Sequence, residues 1–237
     1  MGRKIRAYIL SWAVVIGVVL VLRATFVEAM VIPTGSMEKT LLVGDAVLVN
    51  RFIYGVKIPV PFSNRQIPVI PGRSPKSREI VAFASPFENK TMVKRCVAVE
   101  SDTVEVVNKV LYVNGKRVRE PYVQNSDHRI FRGAEFDRGL YQEKWENGVL
   151  ADSIGMQVRD NFGPVVVPVD CIFAMGDNRD TSFDSRFWGP LHTKYLKGLP
   201  LFLFFSFDPG QEGENLLDMI KVWQWRAIRL ARIGKVM

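Results

Sequence analysis

From Ala7 to Leu22 the chain reads AYILSWAVVIGVVLVL, a run without a charged side chain. With flanking residues to about Val27, it approaches the ~20 residues that an α-helix needs to cross a bilayer. Such a segment constrains everything after it, because the rest of the chain must fold on one side of a membrane. The preceding cap, Gly2-Arg3-Lys4-Ile5-Arg6, is basic, and Lys and Arg stay on the cytoplasmic face. The N-terminus is therefore expected in the cytoplasm and the bulk of the chain outside. A competing reading is a cleaved signal peptide, since Val27-Glu28-Ala29 loosely matches a small-x-small site; Val at the first position and the length of the run favour a retained anchor. A formal net charge of +8 over 237 residues suits nucleic acid or an anionic membrane surface. The anchor turns that choice toward the membrane.

After the anchor, short runs rich in Val, Ile and Phe alternate with Gly, Pro, Asn and Asp. Strands are expected at Ala46–Val49, Ile80–Ala84, Met92–Val99, Thr103–Val107, Val110–Val113 and Val165–Val167, which makes the class mainly β. Val113-Asn114-Gly115-Lys116 predicts a hairpin, because Asn-Gly tolerates the positive φ angles of a type I′ turn. Tyr54–Lys76, Pro-rich and basic, reads as a surface loop or hairpin. Pro121–Gly163 lacks clean periodicity and reads as part of an exposed, inserted β subdomain with long loops. The expected division is a cap and anchor at 1–29, a β core at 30–108 and 164–237, and the insert at 109–163. Leu201–Asp208 is read as a buried strand in preference to a lipid-seated surface. From Asn215, apolar Leu216, Ile220, Trp223, Ala227 and Leu230 recur at helical spacing opposite Lys221, Arg229, Arg232 and Lys235. Two readings stay open there: an amphipathic helix on the membrane, or one packed back on the domain.

Cys96 and Cys171 lie in apolar contexts without Cys-x-x-Cys spacing, which argues against zinc and leaves two buried thiols as the default over a single disulfide. The two histidines, His128 and His192, read as structural.

Three segments carry chemistry. Val31–Asp45, VIPTGSMEKTLLVGD, sets Ser36 on a Gly-containing turn, where a hydroxyl and its own backbone N–H are exposed together, as a nucleophile and half of an oxyanion hole require. Taken alone, the same turn also reads as an ordinary loop. With histidine nearly absent, the candidate base is Lys94, in the apolar strand Met92–Val99. If it faces the core, burial lowers its pKa and the neutral amine accepts a proton near neutral pH; if it faces water it is an ordinary surface lysine. Lys94 and Arg95 point to opposite faces, so one is expected buried and the other solvated. The third segment, Gly176–Arg186, packs acids, arginines and hydroxyls into one stretch, a loop braced by Asp/Arg pairs. A calcium loop is a weak rival, since the spacing of Asp177, Asp180 and Asp184 is not that of an EF-hand.

In this order after an N-terminal span, the segments resemble type I signal peptidase, the membrane-bound Ser/Lys serine protease that removes signal peptides. The resemblance rests on Pro33-Thr34-Gly35-Ser36-Met37 with Thr40-Leu41 and Gly44-Asp45, on Lys94-Arg95, and on the Gly176–Arg186 run. Asn114-Gly115-Lys116, Glu120-Pro121-Tyr122, Phe162-Gly163-Pro164, Phe205–Asp208 and Arg229–Gly234 add to it. It implies a signal-peptidase-like β catalytic domain with Ser36 as nucleophile and Lys94 as general base. It implies an oxyanion hole of the Ser36 N–H and the Thr34 hydroxyl, Ser182 hydrogen-bonded to Lys94, and Asp184 and Arg186 bracing that loop. Ile32, Met37, Leu41, Ala82 and Val93 match positions lining shallow pockets for small residues one and three places before the cut, as in Ala-x-Ala. The substrates implied are exported preproteins cut at their signal peptides. No cofactor, metal or nucleic acid is implied, and the expected state is a single-pass, monomeric protein of the cell membrane in contact with lipid. Glu38-Lys39 departs from a family proline, Ser77-Arg78-Glu79 from Arg-Gly-Asp, and Glu100-Ser101-Asp102 from a Pro-Gly-Asp turn. The rivals are a Ser/Lys processing peptidase with another target, a catalytically silent tethered β domain, and a soluble self-cleaving repressor; the span in place of a helix-turn-helix argues against the last.

Overall fold

The computed structural model describes residues 27–59, 66–133, 137–208 and 228–237, together with scattered positions between 6 and 17. Of the expected anchor, only Tyr8, Ser11, Trp12 and Val14–Gly17 are among them, and these are helical. The rest of that segment, and most of the expected C-terminal helix, lie outside the described residues. Among the described residues no helix is long and apolar enough to cross a membrane.

Thirteen strands are present among the described residues, and their named pairings are antiparallel. The larger sheet runs β1 (Val27–Val31), β2 (Asp45–Asn50), β13 (Leu196–Ser206), β5 (Ile80–Ala84), β6 (Thr91–Val99), β11 (Cys171–Met175) and β12 (Leu191–His192). A second sheet joins β10 (Phe162–Val166), β7 (Thr103–Val107), β8 (Val110–Val113) and β9 (Lys116–Arg117). β3 (Val56–Pro59) and β4 (Gln66–Ile70) form a separate hairpin within the Pro-rich stretch, as expected. The predicted turn between β8 and β9 has positive φ at Asn114 (52°) and Gly115 (71°), the backbone a type I′ hairpin requires.

β11 shows why an uninterrupted apolar run suits a central strand. Cys171, Phe173 and Met175 face one core cluster, while Ile172 and Ala174 face another. With no face left for water, alternation disappears from the sequence. β13 keeps its alternation: Leu203 is fully buried whereas Phe202 and Phe204 are exposed. The expected strand at Leu201–Asp208 is therefore real but covered on one face.

Two expectations are corrected. Residues 121–163, read as β, contain three helices: α1 (Arg138–Glu146), α2 (Leu150–Ile154) and α3 (Gln157–Asp160). The Asp137 carboxylate caps α1 by accepting from the Leu140 N–H (3.0 Å), and Tyr141 and Trp145, one turn apart, are its buried residues. Trp145 stacks on Phe173 (5.5 Å between centroids), meets Phe162 edge-on (6.1 Å), and donates its indole N–H to the Ser185 carbonyl (2.7 Å). Two aromatic anchors on a short helix are too sparse a pattern to register as periodicity. The second correction is at the chain's other end: residues 228–237 do not continue a helix. Ile228 bridges to Phe207 and Val236 to Phe202, and Leu230–Arg232 make a single 3-10 turn.

Candidate active site

Four inter-strand steps separate β1 from β6, which in a flat sheet at ~4.8 Å per step would put them roughly 19 Å apart. Instead Met30 and Ile32, at the end of β1, and Thr91–Lys94 of β6 line one open groove together with Pro33, Thr34, Ser36, Met37 and Lys90. The sheet curls on itself, and the groove lies inside the curl. Its apolar floor continues into a buried cluster of Ile32, Met37, Leu41, Val47, Ala82, Val93 and Leu203. Of the predicted pocket residues, Ile32, Met37 and Val93 reach the groove; Leu41 and Ala82 are buried in the cluster and are absent from its lining.

Ser36 is carried by a single 3-10 turn, Gly35–Met37, pinned by Met37, which is 1% exposed. The Lys94 amine is 2.6 Å from its Oγ, and the Thr34 hydroxyl is 3.4 Å from the same atom. Lys94 is only 2% exposed. Burial is the main cause that lowers its pKa to about 8; the Asp184 carboxylate pulls the other way, and the Arg186 and Lys90 charges add to the lowering. At a heavy-atom distance of 2.6 Å the two groups are within hydrogen-bond reach, so a neutral amine is placed to accept the serine proton.

The Gly176–Arg186 segment closes the site from behind. Arg186 holds the Asp184 carboxylate with Nε (2.8 Å) and Nη2 (2.8 Å), and the Gly176 N–H donates to the same carboxylate (3.0 Å). Burial alone would raise the Asp184 pKa, but the Arg186 charge and hydrogen bond, the Gly176 amide and the Lys94 charge together hold it below the ordinary range. A Cβ at Gly176 would lie 2.2 Å from Ser182 Oγ and 2.5 Å from the Ser36 carbonyl oxygen. Only a glycine lets the loop approach the serine turn this closely. Ser182 Oγ is buried there and has no hydrogen-bond partner, so the expected Ser182–Lys94 bond is not formed; the amine bonds Ser36 instead.

Several supports escape a reading of the sequence. Arg95 is expected in solvent if Lys94 is buried, yet both are buried. Arg95 grips Asp177 with two hydrogen bonds (2.8 and 2.6 Å) and lies 3.8 Å over the Tyr122 ring, while the Thr40 hydroxyl donates to the same carboxylate (2.6 Å). Asp45, 0% exposed, accepts from Ser206 Oγ (2.6 Å), from the Leu42 N–H (2.8 Å) and from Arg232. Arg232 also donates to the Thr40 carbonyl (3.0 Å) and Arg229 to the Val43 carbonyl (3.0 Å). The loop after the serine is thereby strapped down by the end of the described chain. Cys96 and Cys171 are both buried and unpaired. The His192 ring accepts from the Lys194 N–H (3.2 Å), a structural role. Among the described residues no cluster of His, Cys, Asp and Glu could hold a metal.

The sequence profile of the signal peptidase family, peptidase S26, matches residues 5–205. The chain belongs to this family. Signal peptidase I of Helicobacter pylori is 32% identical over 245 residues, covering 86% of this chain and 83% of that one. Signal peptidase I of Bacillus amyloliquefaciens is 35% identical over 208 residues, covering 86% and 91%. Signal peptidase I of Pseudomonas aeruginosa is 38% identical over 194 residues, but the match covers only 65% of that longer protein, and 61% of the Pseudomonas fluorescens relative. A solved signal peptidase I from Enterococcus faecalis overlaps 54% of this chain with a TM-score of 0.38 and 24% identity; the family assignment rests on the sequence matches. The family is thus carried by nearly all of the chain up to the end of β13.

Proposed function

We propose that this chain is a membrane-anchored serine endopeptidase that removes signal peptides from exported preproteins, with Ser36 as nucleophile and Lys94 as general base. The observation that carries the reading is a buried lysine, its pKa lowered to about 8, with its amine 2.6 Å from a serine hydroxyl at the edge of an open apolar groove.

In this reading Ser36 Oγ attacks the scissile carbonyl while its proton passes to Lys94 Nζ. The resulting oxyanion accepts from the Ser36 N–H and the Thr34 hydroxyl. The first amides of a helical turn have no carbonyl within the turn to bond, which suits the Ser36 N–H to this work. Collapse breaks the C–N bond, and the Lys94 ammonium returns the proton to the leaving amine. Water, deprotonated by the same lysine, then attacks the acyl-enzyme and releases Ser36. Ser182, Asp184 and Arg186 keep the back wall of the site rigid, with Ser182 acting through packing and the Asp184–Arg186 pair through its hydrogen bonds.

Substrate preference follows from the groove. Ile32, Met37 and Val93 offer shallow apolar contacts that favour small side chains and reject larger ones sterically, consistent with cleavage after Ala-x-Ala. β1 pairs only with β2 among the described strands, so an extended segment has a free strand edge beside the serine. The uncharged run at 7–22 would hold the domain on the outer face of the cell membrane. Ser36 follows that run by few enough residues, at ~3.3 Å each, to stay near the bilayer surface where a signal peptide's cut site emerges.

The test is incubation of the purified chain with a preprotein carrying Ala-x-Ala, with mass analysis of the products. Cleavage is expected after the second Ala and should be lost in Ser36→Ala and in Lys94→Ala, each with unchanged circular dichroism. Full activity in either variant would overturn the assignment. In sealed vesicles, protease added outside should reach the β domain only on the extracytoplasmic face.

A further inference from the structure

The two peptide planes that flank the Ser36 Cα are both held by one residue, Asn178. Its backbone N–H donates to the Ser36 carbonyl (3.1 Å). Its side-chain Nδ2 donates to the Gly35 carbonyl (3.3 Å) and to the Glu38 carboxylate (3.1 Å). Asn178 is 3% exposed, and its own strand position is fixed by a bridge to Gln124, with Gln124 N–H donating to the Asp177 carbonyl (2.8 Å) and Arg179 N–H to the Gln124 carbonyl (3.0 Å).

The Gly35 carbonyl and the Ser36 N–H belong to the same peptide unit. That unit is planar and trans, so the two groups point in opposite directions. A donor that pins the Gly35 oxygen therefore aims the Ser36 N–H on the far side of the plane. The Gly35 oxygen also accepts from the Glu38 N–H (3.0 Å), so with Asn178 Nδ2 both of its lone pairs are used and the plane is held from two directions. Polarising this carbonyl also strengthens the N–H at the other end of the unit.

We propose that Asn178 is a positioning residue that aims the Ser36 N–H at the oxyanion, with Glu38 holding the second hydrogen of its amide so that Nδ2, not Oδ1, faces the Gly35 carbonyl. The inference rests on the peptidase reading for its catalytic consequence, but the mechanical part stands on the hydrogen bonds alone.

The test uses the full chain in detergent, with two variants and two readouts. Asn178→Asp is nearly isosteric and removes both Nδ2 hydrogens. Cleavage of the preprotein should show kcat reduced roughly 10- to 100-fold, part of the loss that follows deletion of an oxyanion donor, with KM within about threefold. Amide hydrogen exchange in Gly35–Glu38 should speed up, while β6 and β11 keep their wild-type protection. Adding Glu38→Gln to Asn178→Asp reverses donor and acceptor across that contact but returns no donor to the Gly35 carbonyl, so thermal stability should recover and kcat should not. Recovery of kcat in the double variant would overturn the proposal, because the tether to Glu38 would then be what matters. Unchanged exchange across Gly35–Glu38 in Asn178→Asp would overturn it whatever the activity. If the wild-type chain cuts no preprotein, the peptidase reading fails, and the exchange result still decides the clamp.

Discussion

Replacing Lys94 by methionine should make the protein more stable at neutral pH while removing its activity. The amine is buried and its pKa lies at about 8 against an ordinary 10.5, and a tenfold change in proton affinity corresponds to about 1.36 kcal/mol. Holding the ammonium form in the folded protein therefore costs about 3 kcal/mol at pH values below the folded pKa. Methionine has similar length and no charge, so it removes that cost. It also removes the 2.6 Å contact with Ser36, worth about 1 kcal/mol net, which leaves a gain of about 2 kcal/mol. The sign follows from proton counting. Below pH 8 both folded and unfolded chains carry the proton, and the penalty in the wild type is fully present. Between about 8 and 10.5 the unfolded chain binds a proton that the folded one has released, so wild-type stability rises and the advantage of the variant shrinks. Above that window the advantage is gone. Urea unfolding of both proteins in the same micelles, at pH 6.5, 8, 9 and 10.5, reads the difference directly, since all other groups titrate alike in the two. A variant no more stable than wild type at pH 6.5, or one whose gain is the same at 6.5 and 10.5, would refute the reasoning. The wild-type kcat/KM should climb about tenfold per pH unit below about 8 and level off above it, and a limb appearing only near the ordinary lysine value would speak against a neutral base.

Other perturbations follow from the same geometry. Gly176→Ala puts a methyl group 2.2 Å from Ser182 Oγ and 2.5 Å from the Ser36 carbonyl; the serine turn must move, and kcat should fall about 100-fold in a protein that still folds, as measured by preprotein cleavage beside circular dichroism. Asp177→Ala leaves the Arg95 guanidinium buried without its carboxylate, so unfolding by urea should show a loss of about 3–5 kcal/mol. Asp184 is ionised in the fold through Arg186 and Gly176; the stability it supplies is present above the ordinary carboxylate pKa and lost as pH falls toward its lowered value. An acid titration of Asp184→Asn should therefore show a shallower decline than wild type below about pH 4. Trp145→Phe keeps the stack on Phe173 but abandons the Ser185 carbonyl, and a loss of about 1–3 kcal/mol is expected in the same unfolding assay.

The strands were legible because burial on one face leaves a period of two in the sequence, and the Asn114-Gly115 turn because so few residues accept positive φ. Ser36 was legible as an exposed hydroxyl on a tight turn. Lys94 was less so: alternation says which face of β6 a side chain takes, not how deeply that face is buried. The depth comes from the curl of the sheet, which brings β1 against β6 and is written in no local pattern. For the same reason Arg95 was misjudged. Its burial depends on Asp177, 82 positions away, and a charged residue whose partner lies that far along the chain looks like a solvated one. The helices between 138 and 160 were missed because their anchors, Tyr141 and Trp145, are so few. Gly176 and Asn178 stood in plain view within the charged run, yet their importance is one of distance to the Ser36 turn, which only the fold supplies.

The strap formed by Arg229 and Arg232 on the loop that follows Ser36 carries a consequence in time. Arg232 and Asp45 are 187 positions apart, so at roughly 5–20 residues per second of synthesis the serine turn waits roughly 10–40 s for the residues that hold its loop. During that interval Asp45 lacks the Ser206 and Arg232 partners it has in the fold, and the Ser36 turn sits on a loop not yet fastened. The order of synthesis thus separates the Ser36 turn from the residues that fasten its loop, which are made long after it.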